Sequence, residues 1–235
     1  MQEKDPNAEY ILITDNPTLK SETWRVVLEP MDGMTDFEKV CQVRYNLFRY
    51  AETELCVRID GSIGINRPLG TIISKMQEGR YDRCLMLHPR RNTMPSEYAA
   101  WVRSRGYSQH QADRCMAAMR TACYSMDYRG LFQTCFEVVR RNEVNSSLNE
   151  QTLTLLQTLA EDGHIERVDQ TIFSFVLNRY YSDQLKVLPV LESIITDRRL
   201  MTWYLHGSDR FNPSRQKINS YMFNRRCIPW RPLLP

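Results

Sequence analysis

From Glu9 to His88 apolar runs and polar breaks alternate in an order that predicts strand, strand, helix, strand, helix, strand. Glu9-Tyr-Ile-Leu-Ile-Thr14 is a short apolar run stopped by Asp15-Asn16-Pro17, the pattern of a buried strand running into a loop. Trp24-Arg-Val-Val-Leu28 reads as a second strand. Between Asp36 and Tyr50 the residues Phe37, Val40, Cys41, Val43, Leu47 and Phe48 recur at helical spacings, with Asp36 near the amino end and Arg44 off the apolar stripe, free for a ligand. Glu54 to Ile59 mixes β-branched and apolar residues as a half-buried strand does, and Asp60-Gly61 marks a turn at its carboxyl end. A helix over Leu69–Met76 follows Pro68, and Tyr81–His88 is a strand centred on Cys84-Leu-Met-Leu87 that delivers His88-Pro-Arg-Arg91 to a loop.

The pattern continues through helices at Ser96–Arg105 and Gln109–Tyr124, then a strand at Phe132–Arg140 after a turn at Gly130. Leu153, Leu155, Leu156 and Leu159 predict a helix over Asn149–Ala160 ending at Asp162-Gly163. Ile172, Phe173, Phe175, Val176 and Leu177 predict an apolar helix over Asp169–Tyr181. This succession is that of one α/β domain, a mixed sheet flanked by helices, over residues 1–207. Residues 208–235, broken by Pro213, Pro229, Pro232 and Pro235, are expected to form an irregular extension packed on it.

Composition narrows the class. No apolar stretch reaches the ~18 residues that a membrane span requires, and the polar start Met1-Gln-Glu-Lys-Asp-Pro-Asn7 lacks the apolar segment of a secretory signal, so a soluble, cytoplasmic protein is expected. Seven cysteines without a Cys-x-x-Cys spacing suggest reduced, mostly buried thiols rather than a zinc knuckle or a disulfide framework. The net charge of +3 is small but uneven: Arg210, Arg215, Lys217, Arg225, Arg226 and Arg231 face no carboxylate from Arg210 onward, and Phe211, Tyr221, Phe223 and Trp230 lie among them. Such a mixture can stack bases and neutralise phosphates, so nucleic-acid binding stands as an alternative function, as does a transferase acting on modified bases in DNA through this tail. Glycine-rich phosphate cradles are absent, which argues against a P-loop kinase or a dinucleotide dehydrogenase.

Candidate chemistry gathers at the predicted strand ends, where ligands sit in open α/β sheets. Asp60 either bonds its own backbone in a turn with Gly61 or binds a divalent cation shared with phosphates. Thr14-Asp15-Asn16 either forms an Asx-type turn or offers ligand-binding side chains on an edge loop. Asp169 and Gln170 either begin a helix as cap and first-turn residue or present a carboxylate and an amide to a ligand. His88, suited to proton transfer near neutral pH, pairs across its loop with Glu97 or serves only the loop.

In this order several segments resemble one family. Tyr10-Ile-Leu-Ile-Thr-Asp-Asn-Pro-Thr-Leu-Lys-Ser-Glu-Thr-Trp24, Arg44-Tyr-Asn, Ile59-Asp-Gly-Ser62, His88-Pro-Arg-Arg91 with Glu97, Gly130-Leu131 leading to Val139-Arg140, and Val168-Asp-Gln-Thr-Ile-Phe173 are similar to the glycosyltransferase-like domains of bacterial polysaccharide clusters and of plant mucilage and pollen proteins, within the GT-A superfamily. Leu205-His206-Gly207 resembles the His-x-x-Gly region of retaining GT-A enzymes such as glycogenin-like transferases, and Pro229-Trp230 their Lys-Pro-Trp ending. The chain departs from the pattern at Ser62, where the family has Asn and related enzymes the second Asp of Asp-x-Asp, near Leu47, and at Val168 in place of Arg.

The resemblance implies transfer of a sugar from a nucleotide diphosphate sugar to a glycan or other hydroxyl acceptor, with Mn2+ or Mg2+. It implies a donor site of Thr14, Asp15, Asn16, Arg44, Asp60, Gly61, Ser62, Arg90 and Arg91, with Asp60 and His206 toward the metal. It places Asp169, Gln170, His88 and Glu97 around the reacting groups. The sugar, the acceptor and the stereochemical outcome stay open, and Ser62 leaves metal dependence open.

Overall fold

The computed structural model describes residues 5–61, 63–65, 67–88, 91, 93–104, 108–121, 130–161, 168–190 and 201–203. Its centre is a four-stranded mixed sheet in the order β3 (Leu55–Ile59), β6 (Phe132–Arg140), β5 (Arg83–Leu87), β7 (Val187–Val190). β6 runs antiparallel to both neighbours, and β7 runs parallel to β5. Pro189, which cannot donate to a ladder, is accommodated because β7 is an edge strand. Two smaller pairs accompany the sheet: β1 (Ile11–Thr14) parallel to β2 (Arg25–Leu28), and β4 (Ile63–Ile65) antiparallel to β8 (Met201–Trp203).

Strand alternation divides the interior into two packed layers. Leu85 and Leu87 of β5, with Phe132, face helices α1 (Asp36–Tyr45), α4 (Gln109–Thr121), α5 (Glu143–Glu161) and α6 (Asp169–Val176). Cys84, Met86, Phe136 and Val138 face the other way, toward Ile72 and Met76 of α2 (Gly70–Glu78). The fold is thus α/β, a mixed sheet flanked by helices. No helix among the described residues is long and apolar enough to cross a membrane. Cys41, Cys56, Cys84 and Cys135 are free thiols, the first three buried.

Local chemistry sets the element ends. A capping box starts α1: the Glu38 N–H donates to Thr35 Oγ1 at 3.3 Å, and the Thr35 N–H donates to Glu38 Oε2 at 2.7 Å. Gly130 opens β6 at φ 97°, a left-handed conformation that glycine adopts without strain. The helix expected over Asp36–Tyr50 ends at Tyr45 and passes into a 3-10 turn, Leu47–Arg49. Helix α5 begins at Glu143, six residues before the expected start, where Asn142 Oδ1 accepts the Asn145 N–H at 2.8 Å. Helix α6 does not run unbroken to Tyr181; a π-helical turn takes over at Leu177–Tyr181. The helix α3 (Met94–Ser104) completes the described set beside the site.

Candidate functional site

Asp60 leaves the carboxyl end of β3, its N–H donating to Cys135 O at 2.9 Å, and His88 leaves the carboxyl end of β5, its N–H donating to Leu131 O at 2.9 Å. Because β6 is antiparallel to both strands, its amino-terminal half lies at this same sheet edge. The start of α6 closes over it.

Arg44 is the hub. Its Nη2 donates to Asp60 Oδ1 at 3.0 Å, and its Nη1 to Thr134 Oγ1 at 3.0 Å and to Asp169 Oδ2. Thr134 Oγ1 in turn donates to Asp169 Oδ2 at 2.8 Å. The expectation that Arg44 stands free for a ligand is corrected: it is 5 % exposed, on the sheet-facing side of α1. One guanidinium therefore fixes two carboxylates and holds them apart. Each retains an oxygen, Asp60 Oδ2 and Asp169 Oδ1, that bonds nothing among the described residues. Asp60 is 32 % exposed at its side chain and Asp169 15 %. Asp169 does not cap its helix; Val168 holds that position and the Asp169 carboxylate turns to Arg44 and Thr134 instead.

A buried ion chain backs Asp60. Arg58 Nη1 donates to Asp60 Oδ1 at 2.8 Å and Arg58 Nε to Glu137 Oε1 at 2.7 Å, while Glu137 Oε2 accepts from Arg83 Nη2 at 2.8 Å. Arg83 ends on Asn145 and Asn149 of α5, with its guanidinium over the Phe173 ring at 4.7 Å. Burial opposes the charge on Asp60, but Arg58 and then Arg44 outweigh it and hold the carboxyl below its ordinary range. For Glu137 burial is again opposed, by Arg83 and Arg58, and the carboxyl is held at about 2. Burial and then the Asp60 charge push the neighbouring Cys135 thiol up to about 12, so no thiolate nucleophile stands beside Asp60.

These depressed carboxyls set a direction for acid stability. Their ion pairing stabilises the fold above the unfolded carboxyl range, about pH 4. It is lost as pH falls through the folded value of Glu137, about 2. Urea unfolding midpoints measured down this window are expected to fall steadily, and midpoints that stay level would contradict the pairing.

A second group adjoins the first through the peptide bond between Asp169 and Gln170. Gln170 Nε2 donates to Glu97 Oε1 at 2.8 Å, and Glu97 Oε2 lies 2.6 Å from Arg91 Nε as an ion pair without hydrogen-bond alignment. Arg91 returns to His88: its N–H donates to Nδ1 at 3.1 Å and its Nη2 stands 2.6 Å from Nε2. Glu97 is completely buried, so it positions Gln170 and Arg91 rather than meeting a ligand directly. His88 has both ring nitrogens against Arg91, which ties it to that side chain.

The Thr14-Asp15-Asn16 loop stands apart from these contacts. Asn16 Oδ1 accepts the Thr18 N–H at 3.0 Å in a local turn, and Asp15 pairs with Lys39 of α1 at 2.6 Å. No hydrogen bond between described residues links this loop to Asp60 or Asp169. Gly61 is not in the left-handed region, and among the described residues beyond its chain neighbours nothing lies within 4 Å of where a Cβ would stand. Ser62, Arg90, His206 and the extension at 208–235 lie outside the described residues.

No protein-family model matches this chain, and no curated protein matches it. The site therefore rests on its own geometry. Thr134, Arg58, Glu137 and Arg83 were not among the expected site residues. One signal was available: Arg58, Arg83 and Glu137 are charged positions within or at the start of otherwise largely apolar or neutral strand segments.

Proposed function

We propose that this chain is a GT-A-like glycosyltransferase that moves a sugar from a nucleotide diphosphate sugar to a glycan or other hydroxyl acceptor. The observation that carries the reading is the meeting of Arg44, Asp60, His88, Arg91, Glu97, Asp169 and Gln170 at one sheet edge, from segments far apart in the chain. These are the residues on which the family resemblance rests, and their chemistry suits the reaction.

Asp60 keeps Oδ2 unbonded among the described residues, and its side chain is 32 % exposed. A hard cation shared between one carboxylate and two phosphates fits such a donor better than a resident metal does, and no group of three His, Cys, Asp or Glu side chains among the described residues forms a cage. Bound there, Mn2+ or Mg2+ would neutralise charge developing on the departing diphosphate. Arg44 and Arg58 keep Asp60 ionised without touching the donor. Asp169 Oδ1 accepts a sugar hydroxyl, its direction fixed by Arg44 and Thr134 on the other oxygen. The Arg91 guanidinium, held by Glu97 and His88, supplies fixed positive charge at the same edge. Thr14, Asp15 and Asn16 border α1 one to two turns before Arg44 and serve the nucleoside side of the donor.

A panel of nucleotide diphosphate sugars, each tested with and without manganese, decides the matter. At least one is expected to raise the melting temperature in a concentration-dependent way and to release nucleoside diphosphate when acceptor is added. A panel in which none shifts the melting temperature would sink the reading.

A further inference from the structure

Away from the Asp60 edge, α5 and the π-helical turn at Leu177–Tyr181 border two adjoining open depressions, together a shallow groove, that share Ser147, Tyr180 and Tyr181. They lie at the opposite end of α6 from Asp169, about 15 Å along the helix axis at ~1.5 Å per residue. π-helical turns are rare and occur often at functional sites, because the extra residue per turn swings side chains out of the regular stripe. Here Tyr180, next to buried Leu177, is 46 % exposed.

Phe175 meets the Tyr180 ring edge-on at 6.1 Å and 82°, and Gln184 Nε2 donates to Tyr180 O at 2.9 Å. Tyr181 Oη donates to Gln151 Oε1 at 2.9 Å. Asn145 and Asn149, anchored to Arg83, fix the inner face of α5 while Ser147 and Glu150 line the groove. Among the described residues the lining has two carboxylates, Glu143 and Glu150, and no lysine or arginine, so a diphosphate is disfavoured against them. What it offers is an exposed tyrosine among hydroxyl, amide and carboxylate groups. A pyranose has the complementary surface, one apolar C–H face and a rim of hydroxyls that donate and accept.

We propose that this groove binds the neutral part of an oligosaccharide chain, separately from the donor; that the chain is the acceptor rests on the glycosyltransferase reading. A second saccharide contact away from the reacting hydroxyl raises affinity for polymeric over monomeric acceptors.

The full-length protein is titrated by saturation-transfer NMR and calorimetry with neutral hexasaccharides of glucose, xylose, mannose and galactose, and with oligolysine and heparin. At least one neutral hexasaccharide is expected to bind at millimolar concentration with little dependence on salt, and Tyr180→Ala is expected to weaken it roughly tenfold while Tyr180→Phe keeps it. Tyr180→Phe keeps the ring against Phe175 and should melt with the parent, while Tyr180→Ala should melt slightly lower yet stay folded at the titration temperature, which separates binding from folding. Neutral sugars that fail to bind, binding indifferent to Tyr180→Ala, or capture of oligolysine in their place would each overturn the proposal. Binding requires no turnover: a groove that takes the saccharide in a protein that releases no nucleoside diphosphate would keep this site and discard the transferase.

Discussion

Glu137→Ala is expected to cost about 3–5 kcal/mol of folding stability, the range found when one partner is removed from a buried ion pair. Glu137 is 3 % exposed and Arg83 fully buried. Its two carboxylate oxygens are divided between Arg58 and Arg83, so truncation leaves Arg83 with neutral asparagine partners and an aromatic ring but no counter-charge. Arg58 suffers less because Asp60 still faces its Nη1. This difference yields a second variant. Glu137→Met combined with Arg83→Met removes both the carboxylate and the stranded guanidinium, and should recover much of the loss, as buried pairs replaced by apolar side chains often do. Chemical unfolding of the two variants tests this; a double variant as unstable as the single one would show that packing rather than charge sets the cost.

The strands legible in the chain were those whose apolar character is continuous or alternating: β1, β2, β3, β5 and β6 lie within a residue or two of their expected positions. The strand β7 was missed because Val-Leu-Pro-Val has a proline, normally a strand breaker, and only its edge position makes that harmless. The start of α5 was missed for a related reason. Asn145 and Asn149 look like loop residues, yet they point inward to Arg83, so the polar first turns of this helix are a buried face. Arg44 was misjudged in the same way. Periodicity places it off the apolar stripe, and a charged residue off that stripe is normally solvated. Here it is buried because Asp60 and Asp169, 16 and 125 residues away, supply counter-charges that no local window contains. Nothing in the residue spacing linked Gln170 to Glu97 either; that contact depends on α3 and α6 meeting over the sheet edge.

The cluster itself explains why one substitution can separate fold from chemistry. Three guanidiniums, Arg44, Arg58 and Arg83, stand against three carboxylates, Asp60, Glu137 and Asp169. Asp60→Asn removes one negative charge from the most exposed member. Arg44 then keeps Asp169 and Arg58 keeps Glu137, so neither cation is stranded. Because Asp60 is a third exposed, its pairs are partly screened, so the melting temperature should fall, but by much less than for Glu137→Ala. On the proposed reading the activity behaves otherwise. A neutral amide is a poor ligand for a cation on the donor diphosphate, and the developing charge loses its stabilisation. Release of nucleoside diphosphate from the donor identified by thermal shift should fall on the order of 10²–10³-fold, the loss typical when one preorganised charge-stabilising group is removed. The manganese-dependent part of the thermal shift should disappear with it. Parent-like turnover in a folded Asp60→Asn protein would remove Asp60 from the mechanism; lost turnover with an intact manganese shift would move the cation to other ligands and leave Asp60 a role at the sugar.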